Sequence, residues 1–391
     1  MLKVTIREAT APSYRTAVLE LPEREDLLAE KLERIGVGMT LEKNCRVEKL
    51  EGDGGALQAL VGTHVNADEL QYLAKRMEGF DARELLAFRA AVAVEKPAEV
   101  KDLINLTFNL HCYTVITDFS DVARIGQTHL LSKQMALSCD ELAATDCDAV
   151  GRELIAGGGG VVTPYGVLYR NGNQPELVYN GRQLPEYFYQ ECEASLVLST
   201  DEDFKVSETL YFPCFDVEIQ KALLRLGVTE ADNCHTQLDT DRICDAVRSL
   251  FETEFVLAEH LDALNRLTRC YKSFDAQMLD DYHTVFDYAW PQTPEEAACL
   301  AENICEFTVL RGISTAEQYG RYMIEKSGHF DSDPNLEEYV NFQKYGEDRI
   351  REENGVFTDR GYLAYHGTNS LVEEILARNA APEQGQQMGG I

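Results

Sequence analysis

The feature that most constrains the fold of this chain is an internal repeat with a period of about 191 residues. The segment Leu19–Pro22 leads into a helical pattern that closes at Gly36, and Leu210–Pro213 leads into a second pattern that closes at Gly227. Apolar residues recur at i, i+4 and i+7 in both patterns, which predicts one apolar stripe on each helix. The closing glycines predict left-handed helix ends.

Further matches follow in the same order along the chain, with only small slips in register. They are concentrated on glycine, proline and apolar positions, and chance does not give ordered matches of this kind. Examples are Asp81 and Asp275, Pro97 and Pro291, Asn109 and Asn303, Gly126 and Gly320, Gly151 and Gly346, and Gly166 and Gly361. The pattern predicts that two related copies make up nearly the whole chain.

Each copy shows three successive parts: a β-rich start that holds one amphipathic helix, a helical middle, and a mixed last part. This predicts an α+β fold of two tandem copies. Each copy has a β-rich subdomain with one helix, a helical bundle, and a mixed subdomain with a small antiparallel sheet. We assign residues 1–175 to copy one, 176–192 to a linker, 193–369 to copy two, and 370–391 to a final helix with a disordered tail.

The charge balance of the chain is strongly acidic. Its 391 residues include 67 Asp and Glu against 36 Lys and Arg, a net charge of −31. Because proteins bind nucleic acid through clustered lysine and arginine, this balance argues against direct binding of DNA or RNA. The second copy is about twice as negative as the first, and between Asp275 and Glu306 there are eight acids and no lysine or arginine.

Acidic residues cluster on the predicted exposed faces of the helices. Such runs are usually solvated faces, but a face that needs only solubility normally mixes both signs. Solvation and a partner-binding acidic surface therefore both stay open. The candidate partner-binding residues of copy one are Glu25, Asp26, Glu30, Glu33, Asp68, Glu69, Asp81 and Glu84. Those of copy two are Glu252, Glu254, Glu259, Asp262, Asp275, Asp280, Asp281, Asp287, Glu295, Glu296, Glu302 and Glu306.

Motifs for catalysis or metal binding are not recognisable in the sequence. The run Gly157–Gly160 lacks the Gly-Lys-Ser/Thr of a phosphate-binding loop, and copy two has glutamates at that place. The pairs His111-Cys112 and Cys234-His235 have no further ligands at metal-binding spacing, although a nucleophilic Cys-His pair stays open. We predict that the chain is not an enzyme and needs neither metal nor cofactor.

The sequence also predicts where the protein is found. The 11 cysteines include no C-x-x-C pair, which favours reduced thiols over a disulfide framework. We recognise neither a secretion signal nor an apolar run long enough to span a membrane. We therefore expect a cytoplasmic protein without membrane association.

Three segments are similar to a known family. The segment Glu99–Tyr113, the helix between Pro22 and Gly36, and the closing segment from Tyr339 to Tyr362 resemble the ArdA-type antirestriction proteins of Gram-positive conjugative elements. The resemblance covers both copies, so the chain resembles two antirestriction proteins fused head to tail.

The closing motif departs from the family pattern at particular positions. Copy two has Asn341 and Gln343 where the family has acids, and Glu347 where the family has arginine. Copy one lacks the tyrosines of the motif in its segment Asp146–Glu153.

The resemblance implies an elongated α+β protein whose carboxylates imitate the phosphates of bent B-form DNA. Such a protein occupies the DNA-binding groove of type I restriction-modification enzymes, against their specificity and methyltransferase subunits. It also implies a homodimer, or a pseudo-dimer of the two copies within one chain. Two other hypotheses stay open: an acidic module that binds another basic DNA-binding or regulatory protein, and an unrecognised hydrolase.

Overall fold

The computed structural model describes residues 2–9, 15–52, 55–134, 137–187, 191–240, 242–251, 258–328 and 339–380. Helices alternate with small antiparallel sheets, so the predicted α+β class is confirmed. Among these residues we find no helix that is both long and apolar enough to cross a bilayer. The chain forms two compact units. Unit 1 comprises Met1–Gln190, Lys205–Glu208 and Phe215–Thr229, and unit 2 comprises Glu191–Phe204, Thr209–Cys214 and Glu230–Ile391.

Unit 1 begins with a sheet of strand order β2-β1-β3-β4 and continues through helices to a second sheet of order β5-β7-β6. Its strands are β1 (Leu2–Glu8), β2 (Thr16–Leu21), β3 (Cys45–Glu51), β4 (His64–Val65), β5 (Tyr113–Ile116), β6 (Val161–Thr163) and β7 (Gly166–Arg170). Its helices are α1 (Glu25–Arg34), α2 (Ala67–Glu78), α3 (Ala82–Glu95), α4 (Val100–Phe108), α5 (Val122–Gln134), α6 (Cys139–Ala144), α7 (Cys147–Gly157) and, from later in the chain, α8 (Asp216–Leu226).

Unit 2 has a first sheet of order β9-β8-β10 and a last sheet of order β11-β13-β12. Its strands are β8 (Ala194–Ser199), β9 (Ser207–Phe212, of which the first two residues belong to unit 1), β10 (His235–Asp239), β11 (Phe307–Arg311), β12 (Val356–Thr358) and β13 (Gly361–Tyr365). Its helices are α9 (Asp245–Arg248), α10 (Ala258–Ser273), α11 (Ala276–Ala289), α12 (Pro294–Glu302), α13 (Ala316–Glu325), α14 (Phe342–Glu353) and α15 (Ser370–Ala380).

Alternating apolar residues form the buried face of the first sheet. Val4 of β1 faces Leu19 of β2 in antiparallel register, and both side chains are fully buried. Helix α1 packs on β2, with Leu28 and Leu32 of its apolar stripe buried. The period-two and helical patterns of the sequence therefore place their apolar residues in one core.

The two halves of the chain repeat one order of elements. The strand order β2-β1-β3 recurs as β9-β8-β10, and β5-β7-β6 recurs as β11-β13-β12. Gly36 and Gly227, with φ of +83° and +78°, follow α1 and α8, which confirms the predicted left-handed ends. A final helix, α15, begins at Ser370, whereas residues 381–391 of the predicted tail lie outside the described residues. The matches support an internal duplication, which remains our proposal together with the copy boundaries.

Paired glycines allow a close helix crossing in each half. A Cβ atom on Gly126 of α5 would overlap the carbonyl oxygen of Cys147 of α7, and a Cβ on Gly151 would overlap that of Val122. Helices α13 and α14 cross in the same way, at Gly320 and Gly346. These glycines recur in the sequence because the backbones of the two helices touch there.

We expect Gly126→Ala to destabilise unit 1 by about 2–3 kcal/mol, because the new methyl group collides with backbone that has no room to move. Gly157→Ala is a matched control in the same helix pair, since a Cβ there meets no atom within 4 Å, and its effect should stay within about 0.5 kcal/mol. Hydrogen exchange of the α5 and α7 amides measures both. Equal exchange rates in the two variants would contradict the crossing.

Candidate partner-binding surface

Seven of the predicted acids of unit 2 lie on α10, α11 and α12 and pair with arginines. Arg311, at the end of β11, reaches Asp280 and Asp281 of α11, with N–O distances of 2.7 and 2.6 Å. Arg360, in the turn between β12 and β13, reaches Asp280 at 3.3 Å and Asp287 at 2.8 Å. Burial raises the pKa of Asp281, and Arg311 opposes that rise. Two arginines thus fix three carboxylates on one helix.

A second group forms around Arg266 of α10. Its guanidinium binds Glu295 at 2.7 Å and also Glu302, both on α12, and lies 3.8 Å from Asp262 one turn earlier. Hydrogen bonds to Glu302 and Glu295 raise the pKa of Arg266. Glu296, also on α12, pairs with Arg378 of α15 at 2.6 Å. We call the seven acids of both groups the paired carboxylates: Asp262, Asp280, Asp281, Asp287, Glu295, Glu296 and Glu302.

The remaining predicted acids of unit 2 have other positions. Asp275 caps the N-terminus of α11 and accepts a hydrogen bond from the Met278 amide at 2.8 Å. Glu306 is exposed beside β11. Glu252 and Glu254 lie outside the described residues, and Glu259 lies in the first turn of α10, with its side chain outside the description.

Two predicted acids of unit 1 are internal rather than open to solvent. The side chains of Glu25 and Asp68 are only 12% and 17% exposed. Lys221 of α8 lies 2.8 Å from Glu25 and 2.6 Å from Asp68. Lys75 also reaches Glu25, at 3.1 Å. Burial opposes ionisation of Glu25, but Lys221 and Lys75 outweigh it and lower its pKa to about 2. These two carboxylates hold α8 to α1 and α2.

Other predicted acids of unit 1 serve the helices themselves. Asp81 and Glu84 form the capping box of α3, where each side chain accepts a hydrogen bond from the other residue's amide, at 2.8 and 2.9 Å. Glu69 is half-buried and accepts a hydrogen bond from the Tyr179 hydroxyl at 3.0 Å, and burial raises its pKa. Glu33 is exposed on α1.

The last two acids of unit 1 form local ion pairs. Asp26 pairs with Arg24 at 2.7 Å, and Glu30 pairs with Arg34 one turn further along α1. Within the described residues, the structure thus brings six of the predicted acids of unit 2 into shared arginine groups, whereas most of those of unit 1 serve as caps, form local pairs or join an internal cluster.

The internal cluster around Lys221 is not apparent from the sequence, because Lys221, Arg225 and Glu208 lie in the second half of the chain whereas Glu25, Asp68 and Lys75 lie in the first. Beside Lys221, Arg225 of α8 binds Glu208 at 3.0 Å, and Glu208 is 4% exposed. The signal that was present is the i, i+4 spacing of Lys221 and Arg225 beside the buried Ala222 and Leu226. Where bases next to an apolar stripe are buried with it, they need acidic partners.

Glu208 predicts a particular pH dependence. Burial raises its pKa from 4.5 to about 7, although Arg225 favours the charged form. Because the folded pKa is the higher one, the stabilisation from this group is complete below pH 4.5 and is lost as pH rises to 7. As pH rises from 5 to 8, wild type should lose up to about 3 kcal/mol of unfolding free energy that Glu208→Gln, which cannot ionise, does not lose. Urea unfolding of both proteins at each pH measures this difference, and a constant difference would contradict it.

The other sequence candidates have ordinary structural positions. The run Gly157–Gly160 joins α7 to β6. It borders a cavity of about 670 Å³ that His129, Lys133 and Glu153 also line. Burial raises the pKa of the Cys112 and Cys234 thiols, whereas an activated nucleophile needs a lowered one. We find no His, Cys, Asp and Glu group with metal-binding geometry in the part of the chain that is described. The absence of enzyme activity remains a prediction.

Comparison with known proteins adds one finding to this geometry. Residues 205–364 match the model of a family described as antirestriction protein (ArdA). The matched region contains all seven paired carboxylates and three of their arginines: Arg266, Arg311 and Arg360. The chain matches none of the curated proteins.

Proposed function

Because residues 205–364 match the model of the ArdA antirestriction family, we propose that this protein inhibits type I restriction-modification enzymes by occupying their DNA-binding groove in place of DNA. The family supplies the antirestriction role. The DNA-mimic mechanism is our inference from the charges of unit 2. On this proposal the protein acts by stoichiometric binding, without catalysis, metal or cofactor.

The observation that carries the proposal is the arrangement of the paired carboxylates. Seven carboxylates share four arginines, so the surface stays negative after pairing. B-form DNA presents fixed charges to the lysines and arginines of its binding proteins. Guanidinium groups that hold the carboxylates in place give unit 2 a similarly fixed set of charges.

A role in binding explains the arginine pairs better than a role in folding stability does. Exposed ion pairs add only about 0–1 kcal/mol each to stability, and Asp280 and Glu295 keep side-chain exposures of 50% and 52%. A carboxylate that is already oriented loses less side-chain entropy when it meets a partner's cation. The pairing therefore preorganises the carboxylates for binding to a basic groove.

The finer features of the proposal follow from the family resemblance. We propose contact with the specificity and methyltransferase subunits of the target in the cytoplasm. We also propose that the two copies act as a pseudo-dimer within the chain, or that the chain forms a homodimer. The alternative function is an acidic module for another basic DNA-binding or regulatory protein, because the same surface would attract any concentrated positive charge.

Cleavage of an unmodified plasmid by a purified type I restriction enzyme tests the proposal. We expect inhibition near equimolar protein, relief when the concentration of the unmodified plasmid itself is raised, and a marked weakening between 50 and about 200 mM salt because exposed charges are screened. A type II restriction enzyme that recognises a site on the same plasmid is the control. No inhibition of the type I enzyme at large excess would reject the proposal and favour the acidic module.

A further inference from the structure

Trp290, the only tryptophan of the chain, is exposed at the corner between α11 and α12, the two helices that carry six of the seven paired carboxylates. It ends α11 just before α12 begins, and 68% of the residue is open to solvent. Tryptophan carries a large apolar surface that folded proteins usually bury. Its backbone is left-handed, with φ of +50°, a conformation that bulky side chains rarely adopt.

The fold accounts for the backbone at this position but not for the indole. Lys96 ends α3 at the matching place of the other half, with φ of +49°. A proline follows in both halves, at Pro97 and Pro291. A lysine at such a corner is solvated in the ordinary way, so the corner itself does not require an aromatic side chain. The exposed indole is therefore available for a contact outside the chain, of the kind that tryptophan often makes at interfaces.

The surroundings of the indole indicate the chemistry of that contact. Helix α11 carries Asp280, Asp281 and Asp287, and α12 carries Glu295, Glu296 and Glu302. Cation–π contacts within the described residues pair Arg24, Arg76 and Arg321 with phenylalanines, and none places an arginine over Trp290. An indole face is the preferred aromatic partner of a guanidinium, and nearby carboxylates attract the same group.

We propose that Trp290 is the anchor of this surface and stacks against an arginine side chain in the partner's basic groove. The inference rests on the proposed function and names the side chain that unit 2 recognises. Tryptophan and arginine are the residues most often found at the energetic centres of interfaces. Lys96 would repel an arginine at the matching corner, so the anchor belongs to unit 2 alone.

Binding of hexa-arginine and hexa-lysine peptides to the full chain tests the inference. The peptides lack tryptophan, so the intrinsic fluorescence of Trp290 reports stacking directly, and calorimetry gives affinities for variants without the indole. We expect the arginine peptide to bind wild type about two- to 30-fold more tightly than the lysine peptide and to change the fluorescence. Trp290→Asn should lose most of this preference, and Asn tolerates the left-handed backbone, so the fold is kept. Trp290→Phe should keep part of it.

Val162→Ala is the control for loss of exposed apolar surface, since Val162 is 83% exposed on β6 of unit 1. It should keep the full preference for arginine. A Trp290→Asn protein with an unchanged preference, or no fluorescence change at saturating arginine peptide, would overturn the inference. The peptide assay contains no restriction enzyme, so a failure of plasmid protection counts against the proposed function alone.

Discussion

Lys221→Met is expected to destabilise unit 1 by about 3–5 kcal/mol, because it leaves buried carboxylates without their main cation. The Lys221 side chain is 7% exposed and pairs with Glu25 and Asp68 at 2.8 and 2.6 Å. Lys75 and Arg225 remain nearby, but Arg225 lies 4.0 Å from Asp68. Methionine fills a similar volume, so the loss measures charge rather than a cavity. Hydrogen exchange of the α1, α2 and α8 amides is the measurement, since the two units need not unfold together.

Two further variants separate the buried charge from charge in general. Lys3→Met removes a cation that is 50% exposed and paired with Glu20, and its effect should stay below about 0.5 kcal/mol. Adding Asp68→Asn to Lys221→Met removes one of the unpaired charges and should recover at least about 1 kcal/mol. Similar losses for Lys221→Met and Lys3→Met would show that the cluster does not hold α8.

Local sequence patterns were sufficient to predict much of the fold. The stripe of Leu28 and Leu32 and the left-handed Gly36 and Gly227 depend on spacing or on backbone needs that are visible within a few residues. The recurrence of Gly126 as Gly320 is visible from the internal repeat, although the helix crossing that requires these glycines is a tertiary contact. The placement of α8 in unit 1 depends instead on contacts between residues almost 200 positions apart, such as Lys221 with Glu25. Spacing within a helix cannot specify such a partner.

The candidate surface was predicted only in part for the same reason. The stretch from Asp275 to Glu306 contains no base, which predicted an uncompensated field. In the structure, Arg266 precedes this stretch and Arg311 and Arg360 follow it, and the chain folds them back onto its acids. The helices and their acids follow from the sequence, whereas the net field depends on tertiary pairing. The exposure of Trp290 is likewise set by tertiary structure, and the sequence around a lone tryptophan does not predict it.

Replacing Asp280, Asp281 and Asp287 together with asparagine should weaken inhibition of the type I enzyme about 100-fold. Three neutralised surface charges of about 0.5 kcal/mol each account for about tenfold of this loss. The arginines make the loss more severe than a simple sum, because Arg311 and Arg360 lose the acids they contact. That part of the surface changes from negative to positive and then repels a basic groove. Inhibition constants at two salt concentrations measure the effect, and the variant should also lose most of the salt dependence.

The arginines make the origin of that loss testable. Adding Arg311→Gln and Arg360→Gln to the triple variant removes the new positive charge, and the inhibition constant should improve about tenfold.

A control triple variant replaces Glu317, Glu373 and Glu374 with glutamine. It changes the net charge equally, at exposed acids outside the paired carboxylates. It should inhibit within about threefold of wild type, because isolated exposed charges act weakly. Equal losses in the two triple variants would mean that total charge, rather than this surface, drives binding. Full recovery in the five-residue variant would mean that repulsion alone caused the loss. The proposal that these three acids imitate phosphates would then be wrong.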